Sequence, residues 1–305
     1  MTLQQMKYLL EVVRCGSISE AAKELFISQP SLSAAVREVE KEMNIEIFHR
    51  TPKGMQLTTD GTELLSFVRP VVEQSNLLDQ RYKDRGPAKM LCSVSTQHYS
   101  FAVDAFVSLI SRLNIPEYEF ALRETQTAKI IEDVAEFRSE IGLLYLSSFN
   151  EKVILKRLRE GQLEFIPLFT AKPHVFIAVN HPLAAKERVT MDDLEPYPIL
   201  SFEQGECNSV YYSEELMSQV PHSKHIHVSD RATLFNLVIG LGGYTISSGV
   251  LSSDLNGERI ISRPLECDEE MWIGYIKHEK SLLGSFATQY IEELKTVIQK
   301  QGLRA

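Results

Sequence analysis

Between Ser28 and Lys41 the chain sets small hydroxyls, one amide and two cations at spacings that gather them on one side of a helix. At ~100° per residue, Pro30, Ser33, Ala34, Arg37 and Lys41 project opposite the apolar set Leu32, Val36, Val39 and Met43, with Gln29 at the exposed N-terminal tip. A glutamine side chain pairs bidentately with adenine, small residues admit close approach, and cations take guanine or phosphate. That is the chemistry of a helix read against the DNA major groove. Gln29, Pro30 and Ser33 are expected at base edges, and Ser28, Ser31, Arg37, Arg50 and Lys53 at phosphates or a groove edge. On pattern alone, the alternative is a merely solvated polar face.

A second set of residues could hold a small ligand. Hydroxyls recur where strand-like runs end: Ser95-Thr96-Gln97 after 90–95, Ser147 after 141–146, Ser201-Phe202 at 199–202, Ser229 after 225–228 and Ser247 after 244–246. In open α/β sheets ligands gather outside the C-terminal strand ends, where helix N-termini offer unpaired N–H groups. Helix capping alone explains any one of these positions. Their recurrence predicts a small polar ligand, with a carboxylate as the leading expectation.

Other chemistries are weaker. Gly240-Leu241-Gly242-Gly243 lacks the lysine and the strand-to-helix placement of a phosphate loop, and reads as a helix stop. His225 and His227 would share one face of an extended segment near His222, but no cysteine or clear carboxylate accompanies them, so no metal is expected. Cys207 stands in a polar segment beside Glu206, which would raise a thiol pKa rather than lower it. No GxSxG, HExxH or paired-carboxylate signature occurs, so neither an enzyme nor a cofactor is expected.

The elements that position these residues change character along the chain. Leu3, Met6, Leu10 and Val13 give one apolar stripe ending near Gly16, and Ser17 with Glu20 suggests a capping box for a second helix. Ser28 caps a third helix, with Pro30 tolerated in its first turn. Two short extended runs flank 49–54 as a β-hairpin or wing. From Thr58 a longer helix follows, capped by Thr59 or Asp60. Its heptad seam is Leu64, Val68, Val71, Ser75, Leu78 and Tyr82, and Pro70 is expected to kink or break it. Beyond 85–88, strand and helix patterns alternate to the C-terminus, predicting an α/β fold with largely parallel sheets. The expected division is 1–58, a helix-turn-helix domain; 59–88, a dimerising linker helix; and 89–305, a regulatory domain in two lobes, about 89–165 plus 269–305 and 166–268.

Composition allows this without demanding it. The 305 residues, 44% hydrophobic and 24% charged, suit a multidomain globular chain rather than a disordered one. No run approaches the ~18 apolar residues of a membrane helix. Neither does the N-terminus read as a signal peptide, and the four scattered cysteines give no disulfide or zinc framework, so a cytoplasmic location is expected. The net charge of −9 does not by itself suggest nucleic acid, and residues 1–60, with seven Lys/Arg against eight Asp/Glu, are near neutral. DNA binding must then rest on a few placed cations.

Several of these runs are familiar together. Ser19-Glu20-Ala21-Ala22-Lys23-Glu24-Leu25, Ser28-Gln29-Pro30-Ser31-Leu32-Ser33, Phe48-His49-Arg50 and Leu57-Thr58-Thr59-Asp60-Gly61 strongly resemble the LysR-type transcriptional regulators. His181-Pro182-Leu183-Ala184 and Gly240-Leu241-Gly242-Gly243 resemble that family's effector domain. The resemblance implies a winged helix-turn-helix, a linker helix and a two-lobed α/β domain like periplasmic binding proteins. It also implies ligand-modulated transcription, a homodimer or homotetramer on a pseudo-palindromic double-stranded operator, and the transcription machinery as a further partner. Peroxide-sensing relatives carry two nearby cysteines where this chain has only Cys207. A redox-responsive regulator and a cytoplasmic solute-binding protein are the competing readings.

Overall fold

A computed structural model describes residues 1–51, 54–83, 90–113, 115, 117–205, 209–251 and 257–303. Lys53 and Cys207, and the side chains of Arg50 and Tyr82, lie outside the described residues. The chain forms two units, Met1–Ala88 and Lys89–Ala305.

In the first unit, α1 (Leu3–Cys15) opens on a capping box: the Thr2 hydroxyl accepts from the Gln5 N–H at 3.2 Å and the Gln5 amide oxygen accepts from the Thr2 N–H at 2.7 Å. Gly16 ends it at φ +63°, a conformation that suits glycine. The box expected at Ser17 does not form, because Ser17 makes no side-chain cap bond. The seven-residue α2 (Ile18–Glu24) is held instead by burial of Ile18, Ala21 and Ala22. Ser28 caps α3 (Gln29–Met43) by accepting from the Ser31 N–H at 3.2 Å. The hairpin β1 (Phe48–Thr51) and β2 (Gly54–Leu57) follows, then α4 (Thr59–Lys83). Leu9, Val12, Leu32, Val36, Val39, Ile47, Leu65 and Val68 form the core. Met43 was expected there, but the helix stops at the next residue, Asn44, and Met43 stays exposed.

Two expectations for α4 are corrected. Its cap is Thr58, whose hydroxyl accepts from the Gly61 N–H at 2.8 Å. Pro70 leaves the helix unbroken from Thr59 to Lys83, on a solvent-facing side where a missing hydrogen bond costs little. The seam divides: Val68 turns into the core beside Leu65 and Val72, which lie outside the seam, whereas its Val71 and Leu78 are exposed, as is Phe67.

The second unit has two halves. The first carries a five-stranded sheet of order β4-β3-β5-β12-β6. Its strands are β3 (Met90–Thr96), β4 (Tyr118–Glu124), β5 (Ile141–Leu146), β6 (Leu163–Ala171) and β12 (Met271–His278). Against it pack α5 (Ser100–Arg112), α6 (Thr127–Ala135), α7 (Glu151–Glu160) and the C-terminal helix Ser285–Lys300. The second half holds an antiparallel sheet of order β10-β7-β11, made of β7 (His174–Ala178), β10 (Thr245–Ser247) and β11 (Ile260–Pro264). It adds the short α8 (Met191–Leu194), the parallel pair β8 (Ile199–Phe202) and β9 (His225–Val228), and α9 (Arg231–Leu241). Among the described strands, only β4, β3 and β5, and the β8–β9 pair, run parallel within their sheets, so the five-stranded sheet is mixed and the fold is not largely parallel. Because β6 pairs with β12 along its length, the first half extends through Ala171 rather than stopping near 165.

Candidate DNA interface and interlobe site

On α3, Ser28, Gln29, Pro30, Ser31, Ala34, Arg37 and Lys41 are exposed and Ser33 is half-buried. Among the described residues, neither Arg37 nor Lys41 meets a carboxylate. The acidic residues of the same helix are committed elsewhere. Glu38 accepts from the Gln5 side chain at 2.9 Å, and Glu42 pairs with the N-terminal ammonium at 2.5 Å. Glu40 turns toward the hairpin, where its Oε1 accepts from the Ile47 and Phe48 N–H groups at 2.9 and 3.3 Å. Glu42 is thus neutralised and Glu40 turned away, and the cations Arg37 and Lys41 stay open on the outward face.

Two glycines fix the hairpin against the helices. A Cβ on Gly54 would lie 2.7 Å from the Gly16 oxygen, which accepts from the Met55 N–H at 2.9 Å. A Cβ on Gly61 would lie 2.2 Å from the Ile47 oxygen, itself an acceptor for the Thr58 N–H at 3.0 Å. The Thr58-Thr59-Asp60-Gly61 run thus seats the start of α4 on the strand that leads into the wing.

In the second unit, the two halves face each other across a cleft that is closed. His98, at the end of β3, donates its backbone N–H to Glu214 Oε2 at 2.8 Å, and its Nδ1 lies 3.0 Å from both carboxylate oxygens. Its ring stacks on Phe202 with centroids 3.8 Å apart and planes 7° from parallel. The Phe202 N–H donates to Glu215 Oε1 at 2.9 Å. Arg231, first residue of α9, places Nη2 3.0 Å from Glu124 Oε1 at the end of β4, a charge contact without hydrogen-bond geometry. His98, Phe202, Glu214, Glu215 and Arg231, with Phe176, Thr245 and Ser247, line a void of about 20 Å³, room for one water.

The electrostatics follow from burial. Burial alone would lower the His98 pKa, but the hydrogen bonds and charge of Glu214 outweigh it and raise it. Burial, then the charge of Glu214, pushes the Glu215 carboxyl well above the usual range. Burial also raises Glu124, against the opposing pull of Arg231.

Of the hydroxyls expected around the ligand, only Ser247 lines the void, together with Phe202. The Ser95 hydroxyl donates to Asp133 Oδ2 at 2.9 Å, within the first half. Thr96 donates to the Gln97 oxygen, and the Gln97 amide bridges Thr127, Tyr99 and the Tyr145 N–H. The Ser147 N–H donates to the Asn150 side chain. Ser201 Oγ lies 2.7 Å from His225 Nε2 and 3.0 Å from His227 Nδ1, and Ser229 is exposed. His98 closes the strand-end run Ser95-Thr96-Gln97-His98 that points to this cleft, whereas Glu124, Glu214, Glu215 and Arg231 were not singled out. Arg231 carried a signal, a cation directly after the Ser229-Asp230 cap, but Glu214 and Glu215 were hidden in a run that reads as helical. That run, 212–217, holds only the end of the 3-10 turn Val210–Tyr212.

The remaining motifs have structural parts. Gly242, at φ +61°, ends α9, and its oxygen lies 3.1 Å from His181 Nε2, so the two effector-domain motifs pack on each other. Burial lowers the pKa of His222 and His225, the latter further lowered by its neighbours His227 and His222. No group of three or more potential ligands among the described residues has metal-binding geometry. No helix among the described residues is long and apolar enough to cross a membrane.

Comparison with known proteins accounts for both units. The "Hydrogen peroxide-inducible genes activator" of Dickeya chrysanthemi is 23% identical over 250 residues, 81% of this chain and 78% of its own. The "HTH-type transcriptional regulator CysL" of Bacillus subtilis is 24% identical over 257 residues, 82% of each chain. The fold matches that of a mutant of OxyR from Corynebacterium glutamicum at a TM-score of 0.53 and 18% identity, over 98% of this chain and 94% of that one. The model for bacterial regulatory helix-turn-helix proteins of the lysR family matches residues 3–62, and that for the LysR substrate binding domain matches residues 98–299. The chain belongs to the LysR family of DNA-binding transcriptional regulators.

Proposed function

We propose that this protein is a sequence-specific regulator whose DNA binding is tuned by a small anionic effector held between the halves of its second unit. The observation that carries the effector reading is the convergence of His98, Arg231 and the N–H groups of His98 and Phe202 on one cleft. Cationic side chains and backbone N–H groups at strand ends and a helix start recognise anions. On DNA, Gln29, Pro30 and Ser33 meet base edges, and Ser28, Ser31, Arg37, Arg50 and Lys53 hold phosphates. The exposed Phe67, Val71 and Leu78 of α4 support pairing of two copies on a pseudo-palindromic operator in the cytoplasm. The test is a thermal-shift screen of small metabolites on the full chain, followed by operator titration with and without each hit. A metabolite that raises the melting temperature and changes operator affinity supports the reading; stabilisation with unchanged operator affinity contradicts it.

A redox reading is favoured by the peroxide-inducible relative. Burial foremost raises the pKa of all three described cysteines, Cys15, Cys92 and Cys267, which leaves them as unreactive thiols. This reading therefore rests on Cys207. Peroxide should alter operator affinity in the native chain and leave Cys207→Ser unaffected; equal responses exclude it.

A further inference from the structure

The cleft is already occupied by two carboxyl groups, and they belong to the chain itself. Glu214 takes the His98 N–H at the end of β3 and Glu215 takes the Phe202 N–H at the end of β8, at 2.8 and 2.9 Å. Both side chains come from one irregular stretch between β8 and β9, with relative exposures of only 6% and 2%. The fit is incomplete. Glu215 Oε2 and Arg231 Nη1 are buried with no hydrogen-bond partner on the protein, beside a void with room for one water, and so keep bonding capacity that a better-matched occupant would use.

We infer that Glu214 and Glu215 are a tethered stand-in for the effector, and that the cleft takes a small dicarboxylate that displaces them. The inference rests on the effector reading above and names the ligand class. Displacing the pair frees the N–H groups of His98 and Phe202 beside Arg231, and an incoming acid that takes the place of Glu214 restores the negative charge that keeps His98 protonated. Two N–H groups previously bound to two carboxyl groups then await two more. Their neighbourhood, fixed by the His98–Phe202 stack, calls for a short spacer between the ligand's acid groups. A tethered competitor lowers apparent affinity by the fraction of time the site is free, so the regulator responds only when the free ligand outcompetes it.

The probes are malonate, succinate and glutarate, titrated calorimetrically into the full chain and its Glu214→Gln, Glu215→Gln and doubly substituted variants. Glutamine keeps the shape of each side chain, removes the charge at Glu214 and exchanges the Glu215 carboxyl for an amide, and so weakens the competitor. The double variant is expected to bind at least one probe ten-fold or more tightly than the native chain. Equal, weaker or absent binding in that variant overturns the inference. Hydrogen exchange on the native chain gives an independent reading that does not depend on the variants folding. Saturating probe should expose the amides of 209–217 while those of His98 and Phe202 stay protected. If 209–217 gain protection instead, the two glutamates are part of the ligand's own enclosure and the stand-in is refuted. The effector reading falls separately, when no metabolite that stabilises the chain alters operator affinity.

Discussion

Glu40 gives a sharp test because two readings of it predict opposite outcomes. As a surface charge on α3 it would repel DNA, and its removal would tighten binding. In the structure its Oε1 instead receives the N–H groups of Ile47 and Phe48, both buried, at 2.9 and 3.3 Å. Hydrogen bonds to a charged acceptor contribute about 1.5–3 kcal/mol each, and an orphaned buried N–H carries its own desolvation cost. One of the two bonds is long and Glu40 is partly exposed, so Glu40→Ala should cost about 2–4 kcal/mol in local stability. At 1.4 kcal/mol per factor of ten, amide protection at Ile47 and Phe48 should fall roughly 30- to 1,000-fold. Hydrogen exchange of the full chain measures this directly, and fluorescence anisotropy on a labelled operator measures the consequence. The variant should bind DNA more weakly, because the wing is no longer held against α3. Unchanged exchange with tighter DNA binding would refute the anchoring role.

Gln29→Ala should cost about 1–3 kcal/mol and relax base preference at one position per half-site; equal affinity for all operators would show that α3 does not read bases. Gly61→Ala forces a Cβ to 2.2 Å from the Ile47 oxygen and should destabilise the first unit by about 1–3 kcal/mol or more, seen as faster proteolysis within 1–88. Native-like proteolysis would mean that α4 can shift. The pKa of His98 is raised by Glu214 against burial, and that of Glu215 by burial, so both groups favour the closed cleft when protonated. Stability from them is complete below their unfolded pKa values, about 6.5 and 4.3, and is lost as pH rises through the folded ones. The urea midpoint reported by Trp272, the single tryptophan and part of the first half's core, should fall as pH rises above about 6.5, and His98→Ala should flatten the curve. A midpoint independent of pH there would contradict the closed His98–Glu214 contact.

Helix α3 was legible because its two constraints are local. A hydroxyl cap at Ser28 and a 3–4 apolar spacing fix which side faces out, and Leu32, Val36 and Val39 are buried as that spacing requires. What escaped was every property set by distant contacts. Thr58 rather than Thr59 caps α4 because its backbone is tied to Ile47, eleven positions earlier. Val68 belongs to the core and Val71 does not, since the packing of α1 rather than the heptad chooses the buried side. The cleft shows the same limit. Strand ends located the region, and alternation placed most of their hydroxyls within one half instead of across it. Glu214 and Glu215 were masked by a helix-like pattern over 212–217, whereas their segment has no regular structure and their partners His98 and Phe202 lie more than ten residues away in sequence.

The outward face of α3 is expected to read DNA sequence. The most direct measurement is selection of bound duplexes from a random pool by the full-length protein, repeated with Gln29→Ala. The native chain should enrich a pseudo-palindromic sequence and bind it about 10³-fold or more over unrelated DNA, and the variant should lose that enrichment while retaining salt-sensitive binding to any duplex. Enrichment of the same sequence by both proteins, or of none by the native chain, would contradict the account.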